Sequence, residues 1–493
     1  MQRESTAPHP VSFRDPCLWF VLGAFTVSRV LYALAGVRFQ TGLLASNFQF
    51  LDLALLKTRL LESVYYCHMH PPLFNLFVGL LVKLFPAHYG LAQHVVYALG
   101  GALASVLLYG VMIKLLVAPK LAAVLTIVFV TAPGCVFYED FPMYEYPIMV
   151  LLLVASALLY RLLEQPGAGR AFWFFLALAL LCLLRSIFHL GYFVLIAIAL
   201  AVWLPKARRA VLIGCLAPLI LVLALYAKNW VVFGMFSSSS WLGINMASCT
   251  THQLTPQEKE SLVKSGEVSS IALIEPPSAV ADYAPYVGAV PHTGIPVLDE
   301  AVKSTGGGNF NNLTYLRVDP LYRRAAMQVL RHRPVAYLRS VLIAWFCYFL
   351  PPTDYFQFGP NREAIPGLER LYNRVLYGQF RETSRKGLRA LLAEGHALSL
   401  PLYTGTFLMV LLPLILVGTL VCLIRDCRKR TATLAQTGLT AFLWFNTVWI
   451  MGVSNFLASF ENNRYRFPTD PLYVALLAML IQRTWVAWGA RQR

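Results

Sequence analysis

Acidic side chains are scarce in this chain, so the segments where they gather are the first candidates for chemistry. Asp52 precedes a stretch with helical apolar spacing, and Glu139, Asp140 and Glu145 lie within seven residues of one another. A carboxylate can take the proton of an attacking hydroxyl group. All four are candidate site residues, and Glu145 is favoured because it begins the next apolar helix.

Histidine and arginine side chains lie in neighbouring segments and could complete such a site. His70 precedes two prolines, Arg185 and His189 are four residues apart, and Arg464 and Arg466 are close to the last apolar segment. If one helix extends that far, Arg185 and His189 share one of its faces. Arginine is well suited to binding an anionic phosphate. We therefore predict that these five residues contact a substrate.

Each assignment has a plainer alternative. Aspartate is a common helix N-cap, so Asp52 could only begin a helix. Pro71 stiffens the chain after His70, so that histidine could serve a turn. The arginines could be interfacial cations whose stems pack on apolar surface. A divalent metal bound by histidine and carboxylate is possible but is not demanded by any spacing, so the metal ligands stay unknown.

Composition decides which class of protein must position these residues. The 493-residue chain is 58% hydrophobic and 13% charged, whereas a soluble globular protein carries roughly 25% charged residues. Residues 397–424 and 431–460 contain no Asp, Glu, Lys or Arg, and a membrane-spanning helix needs about 20 apolar residues. The net charge of +17 does not indicate nucleic acid, since most cations flank apolar segments. The chain is therefore predicted to be an integral membrane protein.

Ten apolar segments are candidate spanning helices, and the cations beside them indicate their orientation. The segments are residues 17–37, 91–117, 121–137, 146–163, 171–187, 190–204, 210–227, 402–424, 436–457 and 471–487. One topology places all the clusters of Lys and Arg beside them in the cytoplasm, with both chain termini. The opposite face, called the outer face below, then holds residues 38–90, 138–145, 228–401 and 458–470.

This topology divides the chain into three parts. Residues 1–228 form an N-terminal transmembrane module with catalytic outer loops, residues 229–401 an outer loop region, and residues 402–493 the C-terminal transmembrane helices. Residues 71–85 and 335–350 are apolar but short or interrupted, so we expect re-entrant or interfacial helices there. The predicted fold is an all-α, polytopic transmembrane bundle of about 10–12 helices with outer-face loops.

The outer loop region is the largest polar part of the chain. It is poor in apolar residues, so we expect a cover over a membrane-embedded site in preference to a separate domain. The run Gly306-Gly307-Gly308-Asn309 predicts a turn, and Asn312 begins a glycosylation sequon that is common by chance. Trp241 directly follows Ser237–Ser240 and is expected to anchor the chain at the membrane interface, as are Trp230 and Trp485.

The order of these motifs resembles the GT-C superfamily of membrane glycosyltransferases, which includes protein O-mannosyltransferases and the aminoarabinose transferase of lipid A. The resemblance rests on Asp52 in the first outer loop, His70-Pro71-Pro72-Leu73 after it, Glu139, Asp140 and Glu145 in the second, and Glu461 with Arg464-Tyr465-Arg466-Phe467-Pro468 in the last. Many relatives carry an acidic pair in the first loop, whereas Leu53 follows Asp52 here.

The resemblance implies a sugar donor linked to polyprenyl or dolichyl phosphate, with inversion at the anomeric carbon and Asp52 as the general base. The acceptor could be a lipid, a glycan or a protein, and the membrane could be the bacterial inner membrane or that of the endoplasmic reticulum. Neither a P-loop nor a dinucleotide fingerprint is present, so no soluble cofactor is indicated. The alternatives are a transporter or lipid flippase and a non-catalytic membrane scaffold.

Overall fold

The computed structural model describes residues 14–379, 407–458 and 460–492. In these residues the chain is α-helical and contains no strand; one isolated bridge pairs Val302 with Gly308. The helices are α1 Pro16–Leu34, α2 Leu43–Ser46, α3 Leu53–Thr58, α4 Leu60–Tyr65, α5 Leu73–Leu84, α6 Tyr89–Lys114, α7 Pro119–Val130, α8 Pro133–Glu139, α9 Glu145–Glu164, α10 Ala168–Leu184, α11 Leu190–Trp203, α12 Arg208–Phe233, α13 Leu242–Cys249, α14 Pro256–Lys264, α15 Ala284–Val287, α16 Pro296–Asp299, α17 Leu313–His332, α18 Pro334–Tyr348, α19 Gly359–Ala364, α20 Pro366–Tyr377, α21 Leu408–Lys429, α22 Leu434–Leu457, α23 Asn462–Arg466 and α24 Asp470–Gly489.

The helices form a multi-pass transmembrane bundle, as predicted. Among the described residues six helices are long and apolar enough to span a membrane, or seven if the bent pair α7–α8 is one span. The six are Pro16–Leu34, Tyr89–Lys114, Glu145–Glu164, Pro205–Phe233, Leu408–Lys429 and Asn462–Gly489. All ten predicted segments contain helices, but α10 and α11 are shorter apolar helices, as are α5 and α18, which correspond to the predicted interfacial segments.

One predicted span, residues 121–137, is broken in the middle. The axes of α7 and α8 meet at 59°. Pro133 begins α8, and the residue before it, Ala132, has an extended backbone because the proline ring disfavours a helical conformation there. The break turns the end of α8 into the protein, so that Glu139 is buried.

The outer loop region has an apolar core of its own, which the sequence did not lead us to expect. Buried side chains of α13 and α17, including Ile244 and Tyr322, pack together there with Met69 from the first outer loop. Asp319 of α17 accepts hydrogen bonds from the Gly243 and Ile244 backbone N–H groups, at 2.6 and 3.1 Å. These bonds satisfy N–H groups at the start of α13 that have no partner within the helix.

The core of the outer region is joined to the first outer loop by buried polar side chains. Both ring nitrogens of His68 are hydrogen-bonded, Nδ1 to Ser240 Oγ at 2.8 Å and Nε2 to the Asn311 carbonyl at 2.9 Å. The Asn311 side chain accepts the His68 N–H at 2.9 Å and donates to the Tyr66 carbonyl at 3.0 Å. The outer region is thus held over the first loop.

The glycine run forms the expected turn, and the sequon is buried. Gly306 has φ of +85°, in the region that glycine adopts without strain, and its N–H donates to the Lys303 carbonyl at 2.9 Å. The side chain of Asn312 is the N-cap of α17 and also donates to the Asp299 carbonyl at 3.0 Å. That amide is therefore engaged in holding the start of α17 to the segment at Asp299.

The chain between α18 and residue 379 returns to the outer end of α1. The Asn361 side chain accepts the Arg38 backbone N–H and donates to the Arg38 carbonyl, both at 3.0 Å. α20 is amphipathic, with Leu371 and Val375 exposed on its apolar side. An apolar cavity of about 460 Å³ lies between α1 and α20. The predicted boundary at residue 401 lies outside the described residues.

Candidate functional site

Three predicted site residues from distant parts of the sequence meet at the outer ends of the transmembrane helices. Glu145 Oε1 lies 3.1 Å from Arg185 Nη1 and 3.4 Å from Arg464 Nε. Arg464 Nη2 also lies 3.1 Å from Glu461 Oε2. Glu145, Arg185 and Arg464 are all buried. Their removal from water strengthens each electrostatic interaction and makes any unmatched charge costly.

Local backbone structure presents each of these groups. Glu145 is the first residue of α9, where the N-terminal end of the helix dipole favours a carboxylate. α10 ends at Leu184 and Arg185 has an extended backbone, so its side chain leaves the helix. The expectation that Arg185 and His189 share a helix face is therefore wrong. His189 is instead the N-cap of α11, where its Nδ1 accepts the Gly191 N–H at 3.0 Å.

Aromatic rings enclose the two guanidinium groups. Arg185 Cζ lies 4.7 Å from the centre of the Tyr144 ring and 4.2 Å from that of Tyr465. Arg464 Nη1 donates to the Tyr355 hydroxyl at 3.1 Å. Cation–π contacts and a hydroxyl acceptor hold the planar groups in place without adding negative charge. The two guanidinium groups are thus balanced by Glu145 and Glu461, and the aromatic contacts add no further negative charge.

Several polar atoms around this cluster are buried without a hydrogen-bond partner in the described chain. They are Glu145 Oε2, His70 Nε2, Trp241 Nε1 and the Tyr138 hydroxyl. Buried polar atoms are normally paired, because an unpaired one costs about 1–3 kcal/mol. Glu145 Oε2 belongs to the ion cluster, and the charges of the cluster act on His70 and Tyr138, so these atoms mark a candidate position for a polar ligand.

His70 lies near the cluster as a neutral ring, and its contact with a substrate stays a prediction. Burial, together with the nearby guanidinium groups of Arg185 and Arg464, lowers its pKa to about 3. Its ring centre lies 5.8 Å from that of Trp241. Trp241 is 4% exposed and belongs to the core of the outer region, so its expected role as an interface anchor is wrong.

Asp52 lies in the first outer loop, where it caps a helix and binds the glycine turn. Its Oδ1 accepts the Ala54 N–H at 2.9 Å and the Ser304 hydroxyl at 2.6 Å, and its Oδ2 accepts the Ser304 N–H at 2.7 Å. Lys303 beside it donates to the Asn47 carbonyl at 2.8 Å. Both carboxylate oxygens of Asp52 are therefore engaged. The same loop reaches the ion cluster through Gln49, whose Oε1 accepts the Tyr144 hydroxyl at 2.5 Å.

Glu139 and Asp140 are separate from the ion cluster. Glu139 Oε2 lies 2.6 Å from Arg29 Nη2 and accepts the Tyr146 hydroxyl at 2.6 Å. Asp140 Oδ1 lies 3.1 Å from His94 Nε2. Arg29 was not among the predicted site residues, although it is the only Asp, Glu, Lys or Arg in residues 17–37. A lone charge inside a spanning segment is itself a signal of a partner.

Arg466 occupies a structural position beside the cluster. Its Nε donates to Asp470 Oδ1 at 2.8 Å, and its Nη1 donates to the carbonyls of Tyr348 and Leu350. These carbonyls are at the C-terminal end of α18, where a cation satisfies both their hydrogen bonds and the helix dipole. Arg466 therefore joins α23 to α18, and its contacts differ from those predicted for a phosphate ligand.

A metal centre receives no support from the geometry. In the parts of the chain that the structure describes, no three His, Cys, Asp or Glu side chains are grouped so as to hold a metal ion. The positive groups that surround Glu145 also compete with a cation for that carboxylate. Comparison of the chain with models of protein families, with curated proteins and with solved structures found no match.

Proposed function

We propose that this chain is a glycosyltransferase that moves a sugar from a polyprenyl- or dolichyl-phosphate donor to an acceptor at the outer or lumenal membrane face. One observation supports the proposal best: Arg185 and Arg464 are buried together at the outer ends of apolar helices, among polar atoms that lack partners. Two guanidinium groups can bind a phosphate, while the bilayer beside them can hold an apolar chain.

The reaction assigns each group a part. The acceptor hydroxyl oxygen forms a bond to the anomeric carbon, and the bond from that carbon to the phosphate oxygen breaks. The electron pair of the broken bond stays on the phosphate, which leaves as polyprenyl phosphate with one more negative charge. Arg185 and Arg464 stabilise that charge, and the proton of the acceptor hydroxyl passes to a carboxylate.

Inversion restricts which carboxylate takes the proton. The attacking oxygen approaches the anomeric carbon from the side opposite the leaving phosphate, so the base and the phosphate ligands lie on opposite sides. Glu145 contacts both phosphate-binding arginines, and it is better suited to orient them and to accept a substrate hydroxyl at Oε2. We therefore retain Asp52 as the proposed base. This role requires that Ser304 leaves Asp52 during the reaction.

A transporter or lipid flippase is the second candidate. It is favoured by the break between α7 and α8 and by the ion pair next to it, in which partly buried Arg29 contacts buried Glu139. Broken helices with buried charges are a common feature of transporter binding sites. The transferase is preferred because the unpartnered polar atoms lie around Arg185 and Arg464, and Glu139 is already fully engaged.

The decisive experiment measures sugar transfer from radiolabelled polyprenyl-phosphate donors by the purified protein in detergent. The wild type is compared with Asp52→Asn, and thermal unfolding verifies that both are folded. We expect transfer by the wild type and none by the variant. Absence of transfer from every donor in a panel, by folded wild-type protein, contradicts the proposal. A flux assay in liposomes would then test the transporter.

A further inference from the structure

Two ring nitrogens, Nε2 of His70 and Nε1 of Trp241, are not explained by the binding of a phosphate. Both atoms are buried and lack a hydrogen-bond partner among the described residues. The ring centres are 5.8 Å apart, and the planes are inclined by 38°. In proteins, buried ring nitrogens are normally hydrogen-bonded to the chain or to water. Two nitrogens without a partner on neighbouring rings therefore indicate one ligand that binds both.

The two rings lie in different segments of the chain, which hydrogen bonds between His68 and Ser240 hold together. His70 follows the first outer loop, which His68 and Asn311 hold to the outer region. Trp241 lies in the core of that region, with Phe48 and Tyr315 stacked on its indole at 5.9 and 6.4 Å between ring centres. Because the indole has a single polar group, Nε1–H is the atom through which Trp241 can bind a polar ligand.

The hydrogen-bonding character of the pair matches a neutral hydroxyl group. Trp241 Nε1 can only donate, whereas a neutral imidazole has one nitrogen that donates and one that accepts. With a pKa of about 3, His70 is uncharged at neutral pH. An ionised phosphate has only acceptor oxygens, whereas a sugar hydroxyl can accept from Trp241 and also donate to His70. Glu145 Oε2 is a further free acceptor for a second hydroxyl.

We infer that His70 and Trp241 form the subsite for the sugar ring of the donor, next to the arginines that bind its phosphate. This inference rests on the proposed function and names the residues that recognise the sugar. The pair binds one hydroxyl of the ring, and Glu145 accepts a hydrogen bond from another.

The test separates recognition of the sugar from recognition of the lipid phosphate. Binding of polyprenyl phosphate, with and without an attached glucose, mannose or arabinose, is measured to the full-length protein in nanodiscs. Trp241→Phe keeps an aromatic ring but removes the Nε1–H donor together with part of the indole, so thermal unfolding verifies that the variant is folded, and His70→Phe keeps an aromatic ring beside Trp241. Trp230→Phe is the matched control, since Trp230 is 63% exposed on α12.

We expect wild-type protein to bind at least one of the sugar-bearing lipids more tightly than polyprenyl phosphate. Each variant should weaken binding of that lipid about tenfold, as expected for loss of a buried hydrogen bond, and leave binding of polyprenyl phosphate unchanged. Equal weakening of both lipids, or unchanged affinities, would overturn the subsite and leave the proposed function standing. If folded wild-type protein binds neither lipid, both proposals fail.

Discussion

The hydrogen bonds between Ser304 and Asp52 lead to a prediction that separates a catalytic base from a helix cap. Ser304 donates to Asp52 twice, through its hydroxyl at 2.6 Å and its backbone N–H at 2.7 Å. Ser304→Ala removes the hydroxyl bond and leaves the backbone bond and the Ala54 cap in place. A hydrogen bond to a charged group is worth about 1.5–3 kcal/mol.

If Asp52 is the base, it works only after Ser304 has left it. Weakening that contact by about 2 kcal/mol raises the population of the released form about 30-fold while that form is rare. We therefore expect Ser304→Ala to increase the rate of sugar transfer, by up to about 30-fold if release limits turnover. Asp52→Asn should abolish transfer, since an amide cannot take the proton.

The assay is single-turnover transfer of a radiolabelled sugar at saturating donor, with Thr305→Ala as the matched control. Thr305 donates to the Ala45 carbonyl at 3.0 Å in the same turn but does not touch Asp52. An increase with Ser304→Ala alone supports the release of Asp52. Equal transfer rates in the wild type, Ser304→Ala and Thr305→Ala, together with an active Asp52→Asn variant, would show that Asp52 is only a helix cap. That result would refute its role as the base.

Three further predictions concern binding, stability and pH. Arg185→Ala should weaken binding of polyprenyl phosphate about 10- to 100-fold, and the exposed control Arg59→Ala should not; equal affinities by titration would exclude Arg185 as a phosphate ligand. Glu139→Gln leaves Arg29, which is partly buried in a spanning helix, without its counter-ion, so the free energy of unfolding should fall by up to about 3–5 kcal/mol, measured by denaturation in detergent; an unchanged value would contradict this. Burial raises the pKa of Asp319 to about 6 from 3.8, so the native state holds more protons between these values and stability should fall as pH rises from about 4 to about 6. Asp319→Asn keeps the acceptor for α13, and it should remove that pH dependence from thermal unfolding; a persistent dependence would exclude Asp319 as its source.

The sequence by itself determined that the chain is an all-α membrane bundle and where its apolar helices lie. This is a local property, because backbone groups in hydrocarbon must be satisfied within their own helix, so a long apolar run has few alternatives. The turn at Gly306–Gly308 was equally local, since a glycine run permits positive φ.

Local patterns failed where tertiary contacts determine the backbone. The helix predicted over residues 171–187 included Arg185, since neither proline nor glycine lies between Arg185 and Gly191; in the structure the helix ends at Leu184, and Arg185 reaches Glu145. The apolar core of the outer region was missed for a related reason. Its buried residues are scattered along residues 241–336 and become a core only when α13 and α17 pack together.

Only the tertiary structure decided which of the charged residues belong together. The sequence singled out Glu139, Asp140, Glu145, Arg185, Arg464 and Arg466 by type and favoured Glu145 among the acids, but it did not show which of the six are partners. In the fold, Glu145, Arg185 and Arg464 meet, Glu139 pairs with Arg29, and Arg466 caps α18. The physical reason is that a buried charge needs a partner, and helix packing brings that partner from a distant part of the chain.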